Sequence, residues 1–172
     1  MKNRIIIVLI IVLIPTILVM LGLIINIGNS QEKVIIESSQ ENTAWSYRYF
    51  GIIILNDGTI YDFISENEKD LSYNMNFNEK IEKIKSIGTK RNQKVEKEDL
   101  DLIKEYSKSI KKHSKYTTER EENEIVLADA GKVRSDIYIN GKKYILYSDF
   151  PYKDNVNKSA DELQLIINKY LK

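Results

Sequence analysis

Few side chains in this sequence are of types that do chemistry. There is one histidine, His113, a scatter of aspartates near turns in the C-terminal half, and eleven tyrosines. His113 follows Lys111 and Lys112 and precedes Lys115. A general base wants a carboxylate to orient its imidazole, and zinc wants further nitrogen or sulfur ligands. His113 has neither nearby in sequence, so it reads as a solvated residue at a helix end. Asp129, Asp136, Asp149 and Asp154 fall around expected strand ends. Two of them brought together would make an acid/base pair or an extracellular Ca²⁺ site, although no spacing matches a calcium loop. Turns use Asp and Asn routinely, and that is the simpler role. The best single polar site is Asp129 with Asp149 and Asn157. Tyr138 and Tyr147 fall on the less apolar face of an expected hairpin, where tyrosine rings stack on sugars or grip a peptide. Strand propensity accounts for them equally.

Motifs with a built-in mechanism are missing. The sequence has no Gly-rich phosphate loop, no Gly-x-Ser-x-Gly elbow and no His-Glu-x-x-His. With no cysteine, disulfides, thiolate zinc sites, a cysteine nucleophile and a lipid-modified cysteine anchor are all excluded. Neither a metal nor a cofactor is expected. Asn157-Lys158-Ser159 is a formal glycosylation sequon, but Ser159 is already expected to cap a helix.

The elements that must position these residues begin with a hydrophobic run. Met1-Lys2-Asn3-Arg4 leads into Ile5 to Ile27, interrupted only by Pro15, Thr16, Gly22 and Asn26. A helix of that length spans a bilayer core of about 30 Å, with Pro15 as the expected kink. Lys2 and Arg4 on the N-terminal flank place the N-terminus in the cytoplasm and the rest outside. The alternative, a secretory signal cleaved near Ser30, requires a shorter apolar stretch. Residues 28–44 read as a juxtamembrane linker with a short strand at Val34 to Ile36, and residues 45–172 as one extracytoplasmic domain. Two of the 26 basic residues precede the apolar run, and all 25 acidic residues follow it. The remainder is therefore near neutral with mixed signs, which argues against a nucleic-acid partner.

Within the domain, Trp45 to Leu55 and Thr59 to Ile64 flank Asn56-Asp57-Gly58 and predict a hairpin. A two-residue Asp57-Gly58 loop would set Leu55 opposite Ile60 and Ile54 opposite Tyr61. Both faces of this hairpin are apolar, as in a strand pair covered on both sides. Leu71 to Phe77 alternates like a third strand. Asn78 then caps a short helix carrying Ile81, Ile84 and Ile87, and Gly88 stops it. A basic connector, Lys90 to Lys97, leads to a helix over Glu98 to Lys112, followed by a hydrophilic loop from His113 to Asn123. Strands are expected at Glu124 to Ala128, Val133 to Ile139 and Lys142 to Ser148. The last two are joined by Asn140-Gly141, with Ile137 opposite Tyr144 and Ser135 opposite Leu146. A loop with Pro151 precedes a C-terminal helix opened by the capping box Ser159-Ala160-Asp161-Glu162. The order β-β-β-α-α-β-β-β-α makes an α+β domain, an antiparallel sheet with helices packed on it.

Asp57-Gly58-Thr59-Ile60-Tyr61, Asp129-Ala130-Gly131, Ile137 to Lys142 and Asn157-Lys158-Ser159-Ala160, in a chain rich in Lys and Ile, resemble small membrane-anchored extracytoplasmic proteins of low-GC Gram-positive bacteria. The resemblance implies a compartment and no activity. The expected function is a non-enzymatic module bound to the bilayer through residues 5–27, holding an envelope protein, peptide or wall component. The alternatives are an envelope hydrolase working through the aspartates, and an immunity or inhibitor protein at the membrane.

Overall fold

The computed structural model describes residues 32–44, 46–119, 131–149 and 151–171. The apolar run from Ile5 to Ile27, the cleavage point near Ser30, Asp129 and the expected strand from Glu124 to Ala128 lie outside the described residues. Among the described residues no helix is long and apolar enough to cross a membrane.

Lys33–Lys172 form one compact unit, an α+β domain with a single antiparallel sheet. The strands are β1 (Val34–Asn42), β2 (Arg48–Ile54), β3 (Thr59–Ser65), β4 (Thr89–Lys94), β5 (Tyr116–Thr117), β6 (Lys132–Ile139), β7 (Lys142–Asp149) and β8 (Tyr152–Asn155). The helices are α1 (Phe77–Ile87), α2 (Lys97–His113) and α3 (Lys158–Tyr170). The sheet order is β4-β3-β2-β1-β6-β7-β8-β5. Two helices cover one face. Ile36, Ile52, Ile54, Ile60, Ile137 and Leu146 pack there against Ile103 and Ile110 of α2 and Leu163, Ile166 and Ile167 of α3. On the other face Ile35, Tyr49, Ile53, Phe63 and Tyr138 meet Ile81 and Ile84 of α1 and Leu71 of the loop before it. Three layers result, with a sheet apolar on both sides.

β1 departs most from expectation. The short strand expected at Val34 to Ile36 runs on through Asn42, in a stretch otherwise read as linker, and pairs with β2 on one side and β6 on the other. Its second half, Glu37-Ser38-Ser39-Gln40-Glu41-Asn42, carries no apolar alternation, so periodicity could not reveal it. Lys90 to Lys94, read as connector, belongs to edge strand β4. Its side chains stand largely in solvent, and only backbone pairing with β3 defines it. Lysine-rich edges of this kind discourage further pairing. β5 and β8 likewise fall in stretches read as loops: they are short, and their polar, half-buried residues carry no apolar alternation.

The expected third strand, Leu71 to Phe77, is instead turns over residues 71–76 leading into α1 at Phe77. Asn76, rather than Asn78, caps α1 by accepting from Asn78 N. Similarly Asn157 caps α3, accepting from Ser159 N, so the Ser159 capping box gives way to a cap two residues earlier. The element order among the described residues is therefore β-β-β-α-β-α-β-β-β-β-α.

Both hairpins exist, with different success in register. Asn140 and Gly141 take the positive φ values (51° and 81°) that a tight turn needs, and Ile137 faces Tyr144 as expected. A bulge between Ser135 and Asp136 then shifts the ladder, so Ser135 meets Tyr147 instead of Leu146. In β2–β3 the loop runs from Leu55 to Gly58, pairing Ile54 with Ile60 and Ile53 with Tyr61. This is one residue out from a two-residue loop. Because side chains alternate, the slip exchanges the two faces of β3.

Gly51 in β2 lies so close to β1 that a Cβ there would collide with the Ser38 carbonyl oxygen and stand 2.7 Å from Ser39 Cα. Gly51→Ala is expected to cost about 1–3 kcal/mol through this overpacking, read as a lower midpoint in urea unfolding.

Candidate functional site

The residues singled out from sequence do not form one site. Asp149 ends β7 and accepts from Val133 N at 2.8 Å. It pairs with Tyr152 at one end of β8, while Asn157 lies past the other end, capping α3 and contacting Ser109 Oγ at 3.4 Å. Tyr138 and Tyr147 sit at opposite ends of the β6–β7 ladder. Tyr147 meets the Tyr152 ring edge-on, with centroids 6.2 Å apart. Tyr138 is in the interior, its ring stacked on Phe77 at 4.2 Å. His113 is the last residue of α2. Among the described residues, no three His, Asp or Glu side chains are placed to hold a metal ion.

The polar constellation that does form centres on Glu37, on the β1 face beneath α1. Only 1 % of Glu37 is exposed. A buried carboxylate is tolerated when it is paired and hydrogen-bonded, and Glu37 is both. Lys80 of α1, equally buried, donates from Nζ to both carboxylate oxygens at 3.2 and 3.1 Å. Tyr49 donates its hydroxyl to Oε1, and Tyr138 donates to Oε2 at 3.0 Å. Ser39 Oγ adds a contact of 3.3 Å. The Lys80 ammonium also donates to the Tyr73 carbonyl at 2.8 Å, so one lysine fastens both α1 and the preceding loop to the sheet. Burial and the neighbouring Glu37 carboxylate hold the Tyr49 and Tyr138 phenols protonated, far above their ordinary range.

Beside Glu37, as its direct cross-strand partner on β6, lies a second carboxylate, Asp136. It is also 1 % exposed, and neither of its oxygens accepts a hydrogen bond of ordinary geometry. Burial first, and the Glu37 charge second, push it up to about 6. Lys143, the Tyr73 hydroxyl through a weak side-chain hydrogen bond, and Lys80 pull the other way. The outer boundary is cationic. Arg134 lies 3.8 Å from the Tyr73 ring centroid, and Lys143 lies over the same ring and donates to its hydroxyl at 2.9 Å. The cluster is thus closed: Glu37, Lys80, Tyr49, Tyr138 and Asp136 are all buried.

Accessible chemistry lies elsewhere. A cleft of about 400 Å³ opens where β2 and β3 run past the end of α3, walled by Phe50, Ile52, Ile64, Ile87 and Leu171. Ile64, Ile87 and Leu171 are about half exposed. Its floor is braced by Arg91, which forks onto Asp62 at 2.6 and 2.7 Å and donates to the Tyr170 carbonyl at 2.6 Å. A second hollow continues past Ile64 and Ile87 to Glu66, Asp70 and Lys83.

Sequence reasoning missed Glu37, Lys80 and Tyr49. Glu37 lay in a stretch read as linker, yet it is two residues from Ile35 and so shares its face. Lys80 sits on the same helical stripe as Ile84 and Ile87, a position at which a lysine needs a buried partner.

Two outcomes test this site. Lys80→Met leaves the Glu37 charge buried with one partner fewer, and a loss of about 3–5 kcal/mol in unfolding free energy is expected. Glu37→Gln made in the same background should recover part of that loss, as a double-mutant cycle would register. For Asp136 the folded carboxyl takes up a proton more readily than the unfolded one. Its stability contribution is therefore complete below about pH 4 and is lost as pH rises through about 6. Asp136→Asn should flatten that part of the pH–stability curve and raise stability at pH 8 by up to about 3 kcal/mol. No family model, curated protein or solved structure matches the chain.

Proposed function

We propose that this protein is a single-pass membrane-anchored module whose domain lies outside the cytoplasm and holds a protein or peptide of the cell envelope, without catalysing a reaction. The apolar run from Ile5 to Ile27 with Lys2 and Arg4 ahead of it supports the anchor and its orientation. The resemblance to anchored proteins of low-GC Gram-positive bacteria agrees with that compartment.

The observation that carries the binding reading is the separation of charge from access. The one strongly perturbed carboxylate among the described residues is sealed under α1, whereas the open cleft is apolar and lined by half-exposed Ile64, Ile87 and Leu171. Contiguous exposed apolar side chains with a polar rim are the usual mark of a protein-binding surface. A hydrolase would place its acid where substrate can reach it, and neither surface hollow is lined by Asp136.

Two measurements test the reading. Because the chain has no cysteine, Lys142→Cys provides a single thiol at the exposed start of β7, beside the Asn140-Gly141 turn. A membrane-impermeant maleimide should label it in intact cells; labelling only after lysis would place the domain inside. Ile64→Glu with Ile87→Glu should abolish crosslinking to an envelope protein that the natural chain captures, with circular dichroism unchanged. Undiminished crosslinking would rule out the cleft.

A further inference from the structure

We propose that residues 66–88, the turns around Tyr73 together with α1, form a lid that closes over the aromatic floor of the sheet on proton uptake, and that Asp136 is the group that takes up the proton. This inference concerns the lid alone and needs no partner.

The geometry points to it in three ways. First, the lid is separable. α2 and α3 pack against each other on the opposite face, whereas α1 lies by itself against the β3 side of the sheet. The buried side chains of the whole lid are Leu71, Lys80, Ile81 and Ile84, few enough for opening without global unfolding. Second, the donors beneath the lid converge on Glu37. Tyr49, Tyr138, Ser39 and Lys80 all serve that carboxylate, while Asp136, on the paired strand position, accepts no hydrogen bond of ordinary geometry and has only a weak partner in the Tyr73 hydroxyl, which belongs to the lid. An ionised Asp136 in the closed state is therefore a second buried negative charge beside the first, with one buried ammonium between them. Two carboxylates sharing such a site favour one proton between them. Third, Asp136 lies under the lid, so that lifting it admits water and removes the penalty on ionisation.

The balance must include every charged or titratable group facing Asp136. Glu37 comes from β1, Tyr49 from β2, Tyr73 and Lys80 from the lid, Arg134 and Tyr138 from β6, and Lys143 from β7. Arg134 is itself within 3.5 Å of Glu41. Lys80 and Lys143 favour the ionised form, but burial and Glu37 outweigh them, and the closed state binds the proton more tightly. Closure is therefore favoured as pH falls. Opening at neutral pH exposes Tyr49, Phe63 and Tyr138, an apolar surface absent from the closed form.

Amide hydrogen exchange on the full chain in detergent micelles tests the lid, with rates corrected for intrinsic exchange. A carboxyl moving from an ordinary 3.8 to about 6 on closure makes α1 opening roughly tenfold more frequent at pH 7.5 than at pH 5. Amides of α3 should show no such change. Asp136→Asn should remove the difference and leave α1 slow at both pH values. Exchange of α1 that ignores pH, a change shared equally by α3, or a difference that survives in Asp136→Asn would each overturn the proposal. Should that variant fail to fold, the ¹³C carboxyl titration of Asp136 in the natural chain decides. A midpoint near 6 supports the lid, and one near 3.8 refutes it.

Discussion

The placement of one negative charge organises this domain. Glu37 sits at the centre of the central strand, 1 % exposed, where an unpartnered carboxylate would be prohibitively costly. Much of the surrounding structure answers that requirement. Tyr49 reaches it from β2, Tyr138 from β6, and Lys80 from α1. Three separate elements are thus registered to a single side chain. A slip of one residue in β1 would turn Glu37 toward the face covered by α2 and α3, where none of those donors lies. An apolar residue of similar size would provide comparable burial without selecting among alternative pairings. A buried ionic group can add such specificity, while its net contribution to stability is often small.

The opposite face is organised differently. There the contacts are almost wholly aliphatic, and polar ties gather at the periphery. Asp99 at the start of α2 accepts from Lys169 Nζ at 2.8 Å and the Tyr170 hydroxyl at 2.7 Å, both at the end of α3. The same Tyr170 hydroxyl accepts from Glu96 N, and Arg91 of β4 donates to the Tyr170 carbonyl. One residue therefore locks two helices and an edge strand together. The two faces divide the labour: one gives cohesion, the other gives register.

Much of this was legible in the sequence wherever apolar periodicity controls the outcome. The Asn140-Gly141 turn, the doubly covered hairpin and all three helices have contiguous apolar signals, and each is present. The α+β class and the antiparallel sheet followed from them. Legibility failed where backbone pairing acts without side-chain burial, as in β4, and where a buried position is polar, as in the second half of β1 and at Asn155 of β8. Glu37, Ser39 and Asp136 look like surface residues because their burial depends on Lys80, Tyr49 and Tyr138, which are distant in sequence. The β2–β3 register failed for a local reason. Asp57-Gly58 fits a two-residue turn, but Asp57 accepts from Thr59 N and Thr59 Oγ1 at 3.0 and 2.8 Å, within a longer loop.

The position of β1 also has a mechanical meaning. The strand that follows Lys33 is neither an edge nor a hairpin arm; it is flanked by β2 and β6 along most of its length. Antiparallel hydrogen bonds lie perpendicular to the strands they join. A pull entering through residue 33 along the strand axis would load both ladders in shear, so that many bonds share the tension at once. An edge strand pulled from its end would instead peel away one bond at a time. A pull from the N-terminal side of the domain would thus meet a strand held by neighbours on both flanks.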